Sequence, residues 1–164
     1  TIMREEDIKK VVELAIDLWR HSYYNILDRT YLDNLSDQKF IKSREIIIKD
    51  DNFRCLVVKN YEEKIIGFAD SGKSWTSKIE DKQGEIYAMY VEIMHQHCGI
   101  GKTLFMNHKR WLKCMGYETL NIWTLKENIN ARKFYSKMGG IKQSDRHKDI
   151  GGIFYPEVQY IWQL

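Results

Sequence analysis

Proline is nearly missing from this 164-residue chain, which has one, while 43% of its residues are apolar. That balance excludes a disordered or low-complexity chain and fits a compact globular one. Cysteine is scarce and odd in number: Cys55, Cys98 and Cys114 are widely spaced, with no CxxC pair. Such a pattern argues against a disulfide framework and for a reducing compartment, so a cytoplasmic protein is expected. No apolar run is long enough to span a bilayer. The opening residues, TIMREEDIKK, carry no apolar stretch of signal-peptide length, and a membrane partner is not expected. A dense basic block is also missing. The 26 Lys and Arg are scattered among 23 Asp and Glu for a net charge of +3, so nucleic acid is not expected as a partner. The small positive excess is compatible with an anionic ligand. There is no internal repeat or linker, and the length is that of one domain.

What is present alternates between two periods. Residues 5–20 place Ile8, Val11, Val12, Ala15, Leu18 and Trp19 at helical spacing behind an acidic first turn. The broken, aromatic stretch HSYYNILDRTYLDNLSD reads as a loop or short turns. Ser36 offers an N-cap for a second helix running through SREIIIKDD. FRCLVVKN and KIIGFADSGKSW then read as strands joined by a hairpin turn at NYEEK, and GEIYAMYVEIM as a third strand. Alternation puts Ile86, Ala88 and Tyr90 on one face of that strand and Tyr87, Met89 and Val91 on the other. Both faces are apolar, as in a strand at the middle of a sheet. KTLFMNHKRWLKCMG reads as a helix with Leu104, Phe105, His108, Leu112 and Met115 inward and Gly116 at its end. ETLNIWTL is a strand, ENINARKFYSKM a short helix closed by Gly139 and Gly140, and YPEVQYIWQL a terminal strand. A leading strand at Thr1–Arg4 is compatible with the pattern. The order is that of a single mixed α/β domain.

HQHCGIGKT, between the third strand and the following helix, admits four chemistries. A nucleotide P-loop needs G-x-x-x-x-G-K-[ST], but position 96 is Gln96 rather than glycine. In addition, ETLNIWTL ends in Leu125 and Lys126, with no aspartate for magnesium. A dinucleotide turn needs a third glycine where Leu104 stands. His95, His97 and Cys98 are close together, but no second ligand pair with suitable spacing exists, so no metal is expected. The fourth chemistry fits more of the residues. Gln96-His97-Cys98-Gly99-Ile100-Gly101 has the form Q-x-x-G-x-G at a helix N-terminus, where glycines permit close backbone approach and first-turn N–H groups face an anion. The anion wanted is a pyrophosphate, with Lys102 available for a further contact.

At IYAMYVEIMHQHCGIGKTLF and ENINARKFYSKMGG the chain resembles the GNAT superfamily of acyl-CoA-dependent N-acyltransferases. The second segment is similar to that family's N-x-x-A-x-x-F-Y-x-x-x-G-F, through Asn128, Ala131, Phe134, Tyr135 and Gly139; it departs at Gly140, where phenylalanine is usual. The resemblance implies a mixed, mostly antiparallel sheet flanked by helices, with splayed central strands and acetyl-CoA (coenzyme A) as the cofactor. It implies that the strand at Met89, Tyr90 and Val91 leaves backbone groups free for the pantetheine arm and an N–H for a tetrahedral oxyanion. The loop from Gln96 and His97 through Cys98, Gly99, Ile100, Gly101 and Lys102 would hold the pyrophosphate. Asn128, Ala131 and Phe134 would line the arm. Tyr135 would be the general acid toward the thiolate, and Glu85 the base toward the amine, directly or through water. Transfer would be direct, because Cys98 lies in the pyrophosphate loop and away from the thioester. The acceptor pocket would be walled by the first two helices, with Trp19, Tyr23, Tyr24 and Asp28 nearby. Aromatic faces and a carboxylate suit a cationic amine, and W-x-x-x-Y-Y-x-I-L…Y-L-D-x-L looks like bacterial polyamine-acetylating relatives. A peptide amine is the other acceptor expected. A non-catalytic coenzyme A-binding module, or more remotely a P-loop protein, is the alternative. A homodimer is compatible with so small a domain.

Overall fold

The computed structural model describes residues 1–75 and 82–164. A 3-10 turn at Glu5–Asp7 leads into α1 (Ile8–Ser22), followed by the short α2 (Arg29–Asp33) and by α3 (Asp37–Ile47). Strands β1 (Arg54–Lys59), β2 (Ile65–Lys73) and β3 (Gln83–Val91) come next. They are followed by α4 (Ile100–Cys114), β4 (Thr119–Leu125), α5 (Ile129–Lys137), β5 (Ile141–Ile150) and β6 (Ile153–Gln163). The strands form one six-stranded sheet in the order β1-β2-β3-β4-β6-β5. Every neighbouring pair is antiparallel except β3 and β4.

Each face of the sheet is covered by the apolar stripe of a helix. On one face, Val11, Val12 and Ile16 of α1 pack on Cys55, Val57 and Phe68. On the other, Phe105 and Leu112 of α4 and Tyr135 of α5 pack on Ile86, Leu120, Ile122, Val158, Tyr160 and Trp162. His108 is fully buried on the α4 face with Nδ1 2.6 Å from the Ser71 hydroxyl. Desolvation holds its pKa down at about 3, so it is a neutral core side chain.

Several expectations are corrected here. Register shifts between Asp70 and Ser71 on β2, so that Asp70 pairs with Ala88 and Ser71 with Ile86, leaving Tyr87 as the extra residue of a β-bulge. Strict alternation therefore fails. Ile86 joins Met89 in the cluster beneath α4, while Ala88 and Tyr90 join the α1 side. β3 also stops at Val91, and Ile93–His95 form a 3-10 turn. Met115 is 45% exposed, because α4 ends at Cys114 and Met115 sits beyond its last helical residue. The second helix ends at Ile47, short of residue 51, and its N-cap Ser36 makes no side-chain capping bond. The leading segment forms one isolated bridge, Ile2 to Leu56. β5 was not expected at all. Where Gly140 replaces the usual phenylalanine, a Cβ would stand 2.4 Å from Cζ2 of Trp162. The Trp162 indole, donating to the Met138 carbonyl at 2.9 Å, fills that space instead.

Candidate active site

The parallel β3–β4 pair is short. Gln83, Gly84 and Glu85 pair with Thr119, Leu120 and Asn121, and pairing then stops although both strands continue. Along an antiparallel ladder a residue's N–H and C=O point to the same side and alternate. The Glu92 N–H donates to Ile66 on the β2 side at 2.8 Å, and Tyr90 pairs with Phe68 of β2. Met89 and Val91 therefore turn their backbone groups toward the gap that β4 has left. The Val91 carbonyl accepts from Nε2 of Gln96 at 3.0 Å, which ties the glutamine of the loop motif to the rim of that gap.

α4 begins at the same rim. Gly99, its N-cap, has φ 87°, in the left-handed region, and nothing lies within 4 Å of where its Cβ would be. Glycine is thus required there by backbone conformation and not by crowding. His97 is also left-handed, with φ 61°. The first intrahelical bond runs from Thr103 N–H to Gly99 O at 2.9 Å, and no side chain caps the turn. The N–H groups of Ile100, Gly101 and Lys102 therefore stand without intrahelical acceptors and with the helix dipole behind them. This is a fitting seat for a pyrophosphate. Cys98 is exposed, its thiol directed to the Gln96 carbonyl at 3.4 Å, and Lys102 is exposed. His95 lies 2.8 Å from the Glu92 carboxylate.

The second motif meets the first in space. A Cβ on Gly101 would rest 3.5 Å from the Phe134 ring, so α5 lies directly beside the start of α4. Asn128 caps α5 by accepting from Ala131 N–H at 3.1 Å, and Ala131 and Phe134 pack against the α4-side core. Tyr135 is 7% exposed, ringed by Phe134, Tyr160 and Trp162. Burial, with Tyr23 nearby, pushes its phenol well above the usual range, so it keeps its proton throughout the neutral region.

The opposite face of the gap is walled by the loop after α1. The Tyr23 hydroxyl is 3.3 Å from that of Tyr90, while Trp19 packs edge-on to Tyr23 at 5.2 Å. Tyr24 and Asp28, the other two residues of the expected wall, make contacts of their own. The Tyr24 ring is half exposed and covered by Arg29 at 4.1 Å. The Asp28 carboxylate caps α2 by accepting from Tyr31 N–H at 2.9 Å.

Glu85 lies on the last shared rung of β3 and β4 and is 7% exposed. Burial pushes its carboxyl above the ordinary range, opposed by hydrogen bonds from the Ser74 hydroxyl, at 2.9 Å, and the Trp75 N–H. The Nδ2 of fully buried Asn121 donates to Ser74 Oγ at 2.9 Å and to Gln83 Oε1 at 2.8 Å, while its Oδ1 has no partner among the described residues. Sequence reasoning missed Asn121, Trp123 and Glu157. Glu157, on β6, is 5% exposed and bound by Arg146 at 2.8 Å; that guanidinium lies 3.9 Å from the centre of the Trp123 ring. Their signal was present: Asn121 stands between Leu120 and Ile122, and Glu157 between Pro156 and Val158, and a polar residue among apolar strand neighbours points to a buried polar site.

The description of the acetyltransferase (GNAT) family matches residues 20–140. Over 160 residues the chain is 27% identical to the uncharacterised N-acetyltransferase YuaI of Bacillus subtilis, covering 96% of this chain and 88% of that one. It is 25% identical over 159 residues to the spermidine N(1)-acetyltransferase of Thermoplasma acidophilum, covering 94% and 92%. A crystal structure of the PaiA N-acetyltransferase of Thermoplasma acidophilum, in complex with coenzyme A, shares the fold with a TM-score of 0.72 at 18% identity, over 96% of this chain and 95% of that one. Among the described residues no helix is long and apolar enough to cross a membrane. A parted β3–β4 pair, an uncapped glycine turn at its rim and a family match over residues 20–140 agree, and the chain belongs to the acetyltransferase (GNAT) family, whose members draw on acetyl-CoA.

Proposed function

We propose that this protein transfers an acetyl group directly to a primary amine of a small cationic molecule of the polyamine kind, with peptide amines as the other acceptors to test. The observation that carries the reading is the junction of the β3–β4 gap with a sheet face bearing two buried carboxylates, Glu85 and Glu157. Acetyl-CoA, when bound, supplies an acyl thioester.

The residues divide the remaining work. Backbone N–H groups from Cys98 to Lys102, set by the left-handed His97 and Gly99 and braced by Gln96, hold the pyrophosphate. Met89 offers its backbone groups and Val91 its N–H to the pantetheine arm, the Val91 carbonyl being held by Gln96, and the Tyr90 side chain backs the gap through Tyr23. An N–H of this strand stabilises developing negative charge on the acyl oxygen. Asn128, Ala131 and Phe134 flank the arm. Tyr135 donates its proton to the thiolate, a role that suits a phenol kept protonated by burial. Glu85 takes the proton of the amine. It stands three residues of β2 below Met89, since Glu85 pairs with Gly72 and Met89 with Ala69; at ~3.3 Å per residue the separation is about 10 Å. The proton therefore travels through water. Trp19, Tyr23, Tyr24 and Asp28 form the acceptor wall, with Trp19 and Tyr23 nearest the chemistry.

The 25% identity to a spermidine N(1)-acetyltransferase points the same way. A thiol-release assay with acetyl-CoA across spermidine, 1,4-diaminobutane, aminoglycosides, amino acids and peptide N-termini tests the assignment. The linear polyamines are expected to be the best acceptors, and turnover confined to amino acids would overturn it.

A further inference from the structure

Glu157 stands where a second nitrogen of the acceptor would reach. Four residues of β4 separate Asn121, the last rung shared with β3, from Leu125, the pairing partner of Glu157. On the other side of the gap, four residues of β2 separate the partner of Glu85, Gly72, from the partner of Tyr90, Phe68. Both climbs are about 13 Å. Glu157 is thus level with Tyr90, across the gap and beside Tyr23, whose hydroxyl feels its charge.

At this position the protein already holds a cation. Arg146 binds Oε2 of Glu157 through both Nε and a terminal nitrogen at 2.8 Å, with its guanidinium carbon 3.9 Å from the centre of the Trp123 ring. The other oxygen, Oε1, lies 3.8 Å from Lys148. A carboxylate nine-tenths buried beside an indole face is a cation subsite in its own right. The side chain that occupies it comes from an edge strand exposed along nearly its whole length, and it is itself about one-third exposed. A guanidinium in that position can swing into solvent without breaking core packing.

We infer that Glu157 and Trp123 form the subsite for the non-reacting ammonium of a linear di- or polyamine, and that Arg146 is a resident placeholder that this ammonium displaces. The inference deepens the polyamine reading above and rests on it. The subsite selects acceptors with a second cationic nitrogen three or four methylenes from the reacting one; a monoamine, whose single nitrogen sits at the reacting position, does not reach the subsite and does not compete with Arg146. A buried carboxylate left bare in the free protein would be destabilising, and this accounts for a tethered cation there.

The test is calorimetric titration of spermidine, 1,4-diaminobutane and butylamine into the full chain saturated with coenzyme A. Arg146→Met keeps the stem over Trp123 and removes the charge. It is expected to tighten spermidine binding roughly fivefold, the worth of a partly exposed ion pair, and to leave butylamine unchanged. Glu157→Gln is expected to weaken spermidine at least about tenfold, again without moving butylamine; thermal melts confirm that each variant is folded. Weaker spermidine binding in Arg146→Met would overturn the inference by making Arg146 itself the contact, for instance to an anionic acceptor. Equal shifts for all three amines, or none, would overturn it by leaving the pair a structural one. Selective spermidine binding without acetyl transfer would count against the proposed activity and leave the subsite standing.

Discussion

Replacing Glu85 by Gln separates a base from a merely buried carboxylate. The side chain accepts from the Ser74 hydroxyl and the Trp75 N–H, and an amide oxygen in the same place can still accept them, so the geometry survives. Because the roughly 10 Å to Met89 enforces a water relay, the loss in kcat/KM falls at the low end of the general-base range, about 10²-fold. The pH profile is more diagnostic than the size of the loss. Glu85 must be ionised to accept a proton, and burial raises its pKa above that of an ordinary glutamate. Activity should therefore fall as pH drops through a point above the ordinary carboxylate range, and this acidic limb should vanish in the variant. Stability moves the other way. A carboxyl whose folded pKa is raised stabilises the fold when protonated; that contribution is complete below the unfolded value and disappears as pH rises through the folded one. At neutral pH Glu85→Gln should accordingly melt no lower than the unaltered protein. A variant that keeps the acidic limb and more than roughly a third of its kcat/KM would refute the base role.

Tyr135→Phe preserves the packing against Tyr160 and Trp162 and is expected to lower kcat by at least about 10²-fold while leaving acetyl-CoA affinity, measured by calorimetry, nearly unchanged; unaltered turnover would remove the phenol from the chemistry. Cys98→Ala should retain most activity in a thiol-release assay, since the exposed thiol sits on the α4 loop. Near-total loss would point to an acyl-enzyme route. Gly140→Ala places a Cβ 2.4 Å from the Trp162 ring and should cost about 1–3 kcal/mol by overpacking. At ~2–4 °C per kcal/mol for a domain of this size, a melt would show it clearly.

The elements that could be read in advance are those whose neighbours impose a period. α1 and α4 bury one stripe each, and β1, β2 and β4 are apolar along most of their length. β5 escaped because it is an edge strand exposed on both faces except at Arg146 and Ile150. IKQSDRHKDI has no buried face to impose alternation, and only pairing to β6 makes it extended. α2, five residues long, is held by Asp28 and by Leu32 packing under the α1 loop, neither of which a window of local periodicity can register. Asp28 shows the same limit: its Oδ1 accepts from Tyr31 N–H and caps α2, a bond that the hydrophobic pattern does not single out.

By itself the sequence determined the family and the residues of the proposed cofactor seat. Gln96, Gly99 and Gly101, with Asn128, Ala131, Phe134 and Tyr135, carry their chemistry in local backbone conformation and helix capping, which depend on residues a few positions apart. Only the tertiary structure brought together the residues of the proposed acceptor side. The bulge at Tyr87 sends Tyr90 toward Tyr23 and Trp19, and the pairing of β4 with β6 sets Glu157 level with the gap, under an arginine from β5. Those contacts join strands far apart in the chain, and their register is set by the sheet as a whole, where one extra residue reverses which face a side chain serves.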